Sequence, residues 1–311
     1  MTLRKNLWQL KKRLTSRPDK AETPSQAHVL YHAVGDPDQH GGMQTNLHLV
    51  SQACFHAQLR TLKDQGYSFL SIDEAVALPP KPGQKVCTVT FDDGYRSVQE
   101  IAVPVLEELQ IPATFYITTS LMEGQPLWRD KVRKVIDQGW EAEFLDTYAQ
   151  QHGPMLKEGE NFYRHSKAPG TPSKQVDEAL DTFLAGKGIT LASSALYLTP
   201  DELKESPLLT YGNHTHRHYT LASLSEQEQA EDIQAAENKL KSWGITPSRV
   251  FAAPFGNDGT YNEATFGVLK DLGYVGLASC GGKTVRNATF EKRFGLTLTN
   301  RFLAANEPAL W

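Results

Sequence analysis

Short β-branched runs alternate with helix-patterned segments along most of this chain, and that alternation limits the fold more than any other feature. Strand character is read at 28–34 (HVLYHAV), near Phe69, at 86–91, at 113–117, near 208–211, at 250–253 and at 274–278. Between them, residues 52–65 put Phe55, Leu59 and Leu62 on one helical face, with Gly66 as a stop. A short helix is expected from Asp73 to Leu78, another ends near Leu109, and a third lies over 262–272. Ser225 and Glu228 have the form of a capping box opening a long helix to Trp243. The last pattern, 294–302, alternates polar and apolar residues. Such alternation predicts an α/β fold with a mostly parallel sheet or barrel. Its chemistry belongs at the carboxyl ends of the strands.

The segment 121–198 breaks this rhythm. Helical patterns at 128–138, 140–151 and 174–185 are joined by a Gly/Pro/Lys-rich stretch, which reads as a helical insertion and not an independent domain. Residues 1–27 form a basic segment in which Leu3, Leu7, Leu10 and Leu14 fall at helical spacing beside Arg4, Lys5, Lys11, Lys12, Arg13 and Arg17. Either a short amphipathic helix touching a membrane surface or a locally docked terminal helix fits that pattern. The remainder, 28–311, reads as one domain. No apolar run is long enough to cross a bilayer, and the first residues lack the apolar core of a secretory signal. A net charge of −4 gives no reason to expect nucleic acid as a partner. Cys54, Cys87 and Cys280 are widely spaced and read as reduced core residues. The expectation is a cytoplasmic protein, peripheral at the inner membrane face if the N-terminal segment is the membrane-touching helix of those two readings.

Three motifs carry chemistry. Thr90-Phe91-Asp92-Asp93-Gly94-Tyr95 ends an apolar strand with two adjacent carboxylates. Taken alone this is ordinary turn chemistry, but two charges at the edge of a core need a positive partner, and a metal ion is a natural one. In Gly212-Asn-His-Thr-His-Arg-His218, His214 and His218 are spaced i, i+4 and can share a metal if the segment coils into a helical turn, with His216 pointing elsewhere. A solvated polar loop is the competing reading. With one carboxylate they make three ligands for a borderline ion such as Zn²⁺, leaving a position open for water. The third, Phe251-Ala-Ala-Pro254-Phe255-Gly256, says little alone beyond a strand and a turn.

In this order and spacing the motifs resemble those of the polysaccharide deacetylase family, the NodB-homology carbohydrate esterases. TFDDG is matched at Thr90–Gly94, HTxxH at His214–His218 with Leu221 following, and Ala252-Ala-Pro254-Phe255 stands where R-x-P-Y/F is usual. The resemblance covers roughly 28–120 and 199–302. It implies a distorted (β/α) barrel and a divalent metal, most naturally Zn²⁺, removing acetyl groups from N-acetylated sugars. Carried over, Asp93, His214 and His218 are the metal ligands, Asp92 is the general base, and the backbone N–H of Phe255 helps hold the oxyanion.

Two departures follow. Ala252 replaces the arginine that pairs with the base in the family, so another cation must orient Asp92; Arg301, Arg293 and Lys283 are the candidates, Arg301 foremost. No histidine follows His218, although the family usually supplies its general acid from a late Leu-x-His. His32, in Leu30-Tyr-His-Ala-Val34, is the replacement expected, with His28 and His40 behind it. That strand resembles a circularly permuted branch acting on poly-N-acetylglucosamine. Tyr95 is expected at the substrate, and with Trp128 it could form a sugar platform, although core packing is the commoner fate of such a tryptophan. The resulting expectation is a metal-dependent deacetylase of a cell-envelope polysaccharide or a glycan precursor. The alternatives are a deacylase for formyl or non-sugar amides and an inactive glycan-binding homologue.

Overall fold

The structure is a computed structural model and describes residues 26–36, 48–78, 81, 83–157, 159–192, 195–282, 290–308 and 310 of the 311-residue chain. The basic segment 1–25, His40 and Lys283 lie outside the described residues. Seven parallel strands form the framework: β1 (Gln26–Tyr31), β3 (Val86–Phe91), β4 (Ala113–Ile117), β5 (Leu209–Asn213), β6 (Val250–Ala252), β7 (Gly276–Gly282) and β9 (Leu296–Leu303). Their order is β5-β4-β3-β1-β9-β7-β6, with the short strand β2 (Ser68–Phe69) on β3 and the antiparallel β8 (Phe290–Arg293) on β9. The sheet curls until its two ends meet. Across that seam Ser248 donates its backbone N–H to the Tyr211 carbonyl at 2.7 Å, and His214 bonds the Ala252 carbonyl at 2.8 Å. The architecture is thus the nearly closed (β/α) barrel that the alternation predicts.

Helices cover the outside for the reasons legible in their sequences. α1 (Gln52–Asp64) is capped by Ser51 and buries Phe55, Leu59 and Leu62. α2 (Ile72–Ala77) packs beside β3, and α3 (Val103–Leu109) buries Val103, Val105, Leu106 and Leu109. A single turn, α4 (Thr119–Met122), leaves β4 and leads into the insertion, made of α5 (Trp128–Asp137), α6 (Glu141–His152), α7 (Phe162–His165) and α8 (Ser173–Gly186). Its buried Trp128, Val132, Phe144, Phe162, Val176 and Leu180 belong to the same apolar cluster as the barrel's Phe91 and Phe115. The capping box of Ser225 and Glu228 starts α9 (Glu226–Ser242), and α10 (Glu263–Asp271) precedes β7. Among the described residues no helix is long and apolar enough to cross a membrane.

Register decides what meets at the carboxyl ends. Tyr31 pairs with Phe91 and Ile117 with Asn213, so His32, Asp92 and His214 leave their strands together. Close packing beneath leaves little slack: a Cβ on Gly212 would stand 2.4 Å from the fully buried Tyr116 ring. Gly212→Ala is expected to destabilise the protein by about 1–3 kcal/mol through overpacking. The midpoint of urea unfolding measures it, and an unchanged midpoint would show that Tyr116 has room to move.

Candidate active site

Asp92 and Asp93 sit at the floor of a cavity of about 340 Å³, both buried. Arg301, on β9 and wholly buried, grips Asp92 with a fork, Nη1 to Oδ1 at 2.7 Å and Nη2 to Oδ2 at 2.8 Å. Its Nε donates to the Ser279 carbonyl at 3.2 Å, and Nη1 also reaches Thr90 Oγ1 at 3.1 Å. Planar two-bond pairing of this kind fixes the carboxylate's orientation as well as its charge. Burial pushes the Asp92 carboxyl up, but Arg301, helped by His214, outweighs burial and holds it below its ordinary value. Arg301 therefore stands where a cation was wanted in place of Ala252. Arg293 does not: it lies on the exposed β8, over the Phe266 and Phe294 rings.

The second carboxylate faces imidazoles. Asp93 Oδ1 lies 3.5 Å from His214 Nε2 and 3.3 Å from His218 Nε2, and it is buried with no hydrogen-bond partner. One ligand atom from each of the three residues falls within 4.8 Å of the others. The Ala252 carbonyl can only accept, so His214 must donate from Nδ1, which leaves Nε2 of the neutral ring with a bare lone pair aimed at Asp93. A buried carboxylate oxygen and two imidazole nitrogens crowded together without a hydrogen bond among them suit a cation, so these residues fit a divalent metal held by one carboxylate and two imidazoles. Burial lowers the His218 pKa despite Asp93 and keeps that ring neutral, as a ligand requires. At His214 burial works the same way, yet Asp92 and Asp93 outweigh it and raise the pKa.

The 214–218 segment is a loop and not the helical turn that the i, i+4 spacing predicts. Thr215 and His218 take positive φ of 65° and 57°. Asn213 holds the first bend by accepting from the Thr215 N–H at 2.8 Å, and Thr215 Oγ1 in turn accepts from the His218 N–H at 2.8 Å. Two left-handed residues thus bring together rings that a helix would have aligned by periodicity. His216 turns away, its Nδ1 2.9 Å from Thr119 Oγ1.

Among the described residues His32 is the nearest remaining histidine, with Nε2 4.0 Å from Asp93 Oδ2 and Nδ1 buried without a partner. Burial keeps its pKa below the ordinary imidazole value, although Asp93 and Asp92 pull the other way. His28 is not near: it is buried on β1, bonded to Thr88 Oγ1 at 2.9 Å and packed on Phe290. Phe255 lines the cavity with φ of 63°, its ring 4.9 Å from that of His218, and its backbone N–H has no partner among the described residues. Tyr95 also lines the cavity, packed against Tyr197 at 5.0 Å. Trp128 is 1% exposed, so the two make no open platform. Its indole Nε1 instead donates to the His218 carbonyl at 2.8 Å. Cys280, read as a core thiol, lines the cavity too. Sequence reasoning missed His48, whose ring stands 5.2 Å from that of His32, and the insertion's Arg129, Arg133, Tyr163, Arg164 and Lys167. None belongs to a motif, and only tertiary placement reveals them.

Fold and site together define a parallel α/β barrel with a cation-ready carboxylate–imidazole cluster at its strand ends. The sequence profile of the polysaccharide deacetylase family matches residues 80–179 and 199–277, more than half of the chain, and the chain belongs to that family. YxkH of Bacillus subtilis, described as a polysaccharide deacetylase, is 30% identical over 130 residues, 40% of this chain and 44% of its own length. The chain therefore matches less than half of the length of that curated relative. Among solved structures, the fold is similar to the de-N-acetylase of Aggregatibacter actinomycetemcomitans, with TM-score 0.55, 17% identity and coverage of 91% and 95% of the two chains. It is also similar to the Streptococcus pyogenes deacetylase PplD, with TM-score 0.52, 20% identity and coverage of 90% and 92%. IcaB from Ammonifex degensii gives TM-score 0.51 at 18% identity, covering 91% and 93%.

Arg301→Met leaves Asp92 buried without its partner and is expected to cost about 3–5 kcal/mol at neutral pH. The sign with pH follows from the depressed Asp92 value. The pair's contribution is full above the ordinary 3.8 and is lost as pH falls through the lower folded-state value. In the variant, burial without Arg301 raises the Asp92 carboxyl instead, so it takes up a proton and sheds its charge on acidification. Urea unfolding at pH 7, 5 and 4 should therefore show the gap between wild type and variant narrowing at the acid end. A gap independent of pH would mean that Arg301 acts through packing.

Proposed function

We propose that this chain is a metal-dependent deacetylase that hydrolyses the N-acetyl amide of an amino sugar in a polysaccharide or glycan precursor. One observation carries the reading: a buried carboxylate held by Arg301 stands beside a second carboxylate that shares its space with two imidazoles, at the floor of an open cavity. That division suits one acid as base and the other as ligand. Family membership supports the carbohydrate substrate, and the names of the structural relatives point the same way.

In this reading Asp93, His214 and His218 hold a divalent ion, most naturally Zn²⁺. When bound, the ion supplies Lewis-acid polarisation of the amide carbonyl and lowers the pKa of water. Asp92 accepts the proton of the attacking water, and Arg301 keeps its carboxylate aimed while leaving it ionised. The Phe255 N–H donates to the carbonyl oxygen as charge builds there. His32 gives a proton to the nitrogen as the C–N bond breaks, so the products are acetate and a free amine. Tyr95 borders the sugar.

Purified protein loaded with Zn²⁺ is expected to release acetate from N-acetylglucosamine oligomers. Asp92→Asn should lower kcat/KM by about 10²–10⁴-fold with metal content unchanged, whereas His218→Ala should lose the metal. Elemental analysis beside acetate release separates the two. An Asp92→Asn enzyme as active as wild type would remove the base assignment, and formate release from N-formyl substrates in preference to acetate would reassign the acyl group.

A further inference from the structure

The insertion builds a cationic wall over the candidate active site. Around the ring of Tyr163 stand Arg129 at 4.4 Å, Lys167 at 5.1 Å and Arg133 at 5.9 Å, and all three line the same cavity as the Asp93 cluster, with Arg164 beside them. Their counter-charge is small. Asp130 pairs with Arg133, but among the described residues no carboxylate pairs with Arg129, Arg164 or Lys167. Arg129 is 3% exposed and satisfied only by neutral oxygens, Ser166 Oγ at 2.6 Å and the Tyr163 carbonyl at 2.8 Å. Arg133 Nε is buried with no hydrogen-bond partner. At the floor, Asp92 is already paired with Arg301, and Asp93 is turned towards the two imidazoles with which it would hold the cation of the proposed function.

Crowded cations carry an energetic cost that their own neighbours record. Burial pulls Arg129 down to about 10 and also lowers Lys167, where Arg129, Arg133 and Arg164 add repulsion. Burial would raise the Tyr163 phenol, but Arg133, Arg129 and Lys167 overcome it and draw the pKa below its ordinary value. A neutral glycan leaves this repulsion in place, and an anion relieves it. The chain as a whole is negative, with a net charge of −4, so the preference is local to the wall.

We propose that this wall recognises an anionic group, a carboxylate or a phosphate, carried by the glycan close to the acetylated sugar, and that substrates bearing it are selected over neutral ones. The reaction involved is the deacetylation proposed above; the charge preference itself is a property of binding and stands apart from it.

The test compares three probes on the Zn²⁺-loaded protein: neutral N-acetylglucosamine oligomers, the same oligomers carrying a uronic acid residue, and the same oligomers carrying a 6-phosphate. Acetate release should give kcat/KM at least 10-fold higher for one charged probe than for the neutral one. Which probe gains tells carboxylate from phosphate. The advantage should shrink between 50 mM and 500 mM salt. In Arg164→Gln/Lys167→Gln, both outside the apolar core, the ratio should fall towards one. A wild-type ratio near one, or a ratio that survives in the double variant, overturns the proposal. Calorimetric binding of the same probes covers the remaining case. If none is hydrolysed but a charged probe binds at least 10-fold more tightly, the deacetylase reading fails and this one stands. Equal binding overturns it.

Discussion

The buried pair of Arg301 and Asp92 is the interaction on which the rest of the site depends. Two neighbouring carboxylates cannot both be desolvated without positive charge close by. By taking Asp92 in a two-bond grip, Arg301 makes the two acids unequal. Its place on β9, between β1 and β7, brings it under the carboxyl ends from the barrel interior. There it also ties Thr90 and the Ser279 carbonyl, so one guanidinium joins β3, β7 and β9.

Backbone strain gathers at the same end. Asp93, Thr215, His218 and Phe255 all have positive φ, an unfavourable conformation for residues with a side chain. Each costs on the order of 1–3 kcal/mol and persists only where the surroundings over-determine it. The surroundings here are visible. Asn213 is pinned to the Ile233 carbonyl and to the Tyr274 hydroxyl, and from that anchor it sets Thr215. The Thr118 N–H bonds the Asp93 carbonyl at 3.2 Å, and Thr118 Oγ1 bonds that of His214 at 3.2 Å. Strain is thus spent where three side chains must converge within a few ångströms.

Strand-terminal residues were the legible part of this chain. Asp92 and Asp93 follow a β-branched run that periodicity ends at that point. His32, by contrast, reads as part of a strand over 28–34 but stands just past one that ends at Tyr31, where parallel register brings it level with Asp92. The His214–His218 spacing pointed to two rings that the structure does bring together, but by another route, since the loop achieves by left-handed turns what a helix would achieve by pitch. Arg301 was reachable only through the absence of an arginine at Ala252. The wall was not legible: Arg129 and Arg133 sit on α5, Tyr163 and Arg164 on α7 and Lys167 in the turn after it, the last three within what reads only as a Gly/Pro/Lys-rich joining stretch. Nor was β8, because Phe290-Glu-Lys-Arg293 is largely exposed and has no apolar alternation to betray a strand.

The bond from the Trp128 indole to the His218 carbonyl has a wider meaning. It is reinforced by Tyr219, whose hydroxyl donates to Asp177 at 2.7 Å while Lys131 bonds the same carboxylate at 2.5 Å, and by the Thr220 N–H donating to Ser173 Oγ at 3.0 Å. The insertion therefore does not hang over the barrel as an exchangeable cover. It is the frame in which a candidate ligand is set, so selectivity and cation affinity draw on the same hydrogen bonds. A barrel built this way would not trade its wall for another without disturbing the imidazole beneath it, so in the proposed deacetylase a change of substrate would become a change of metal chemistry as well.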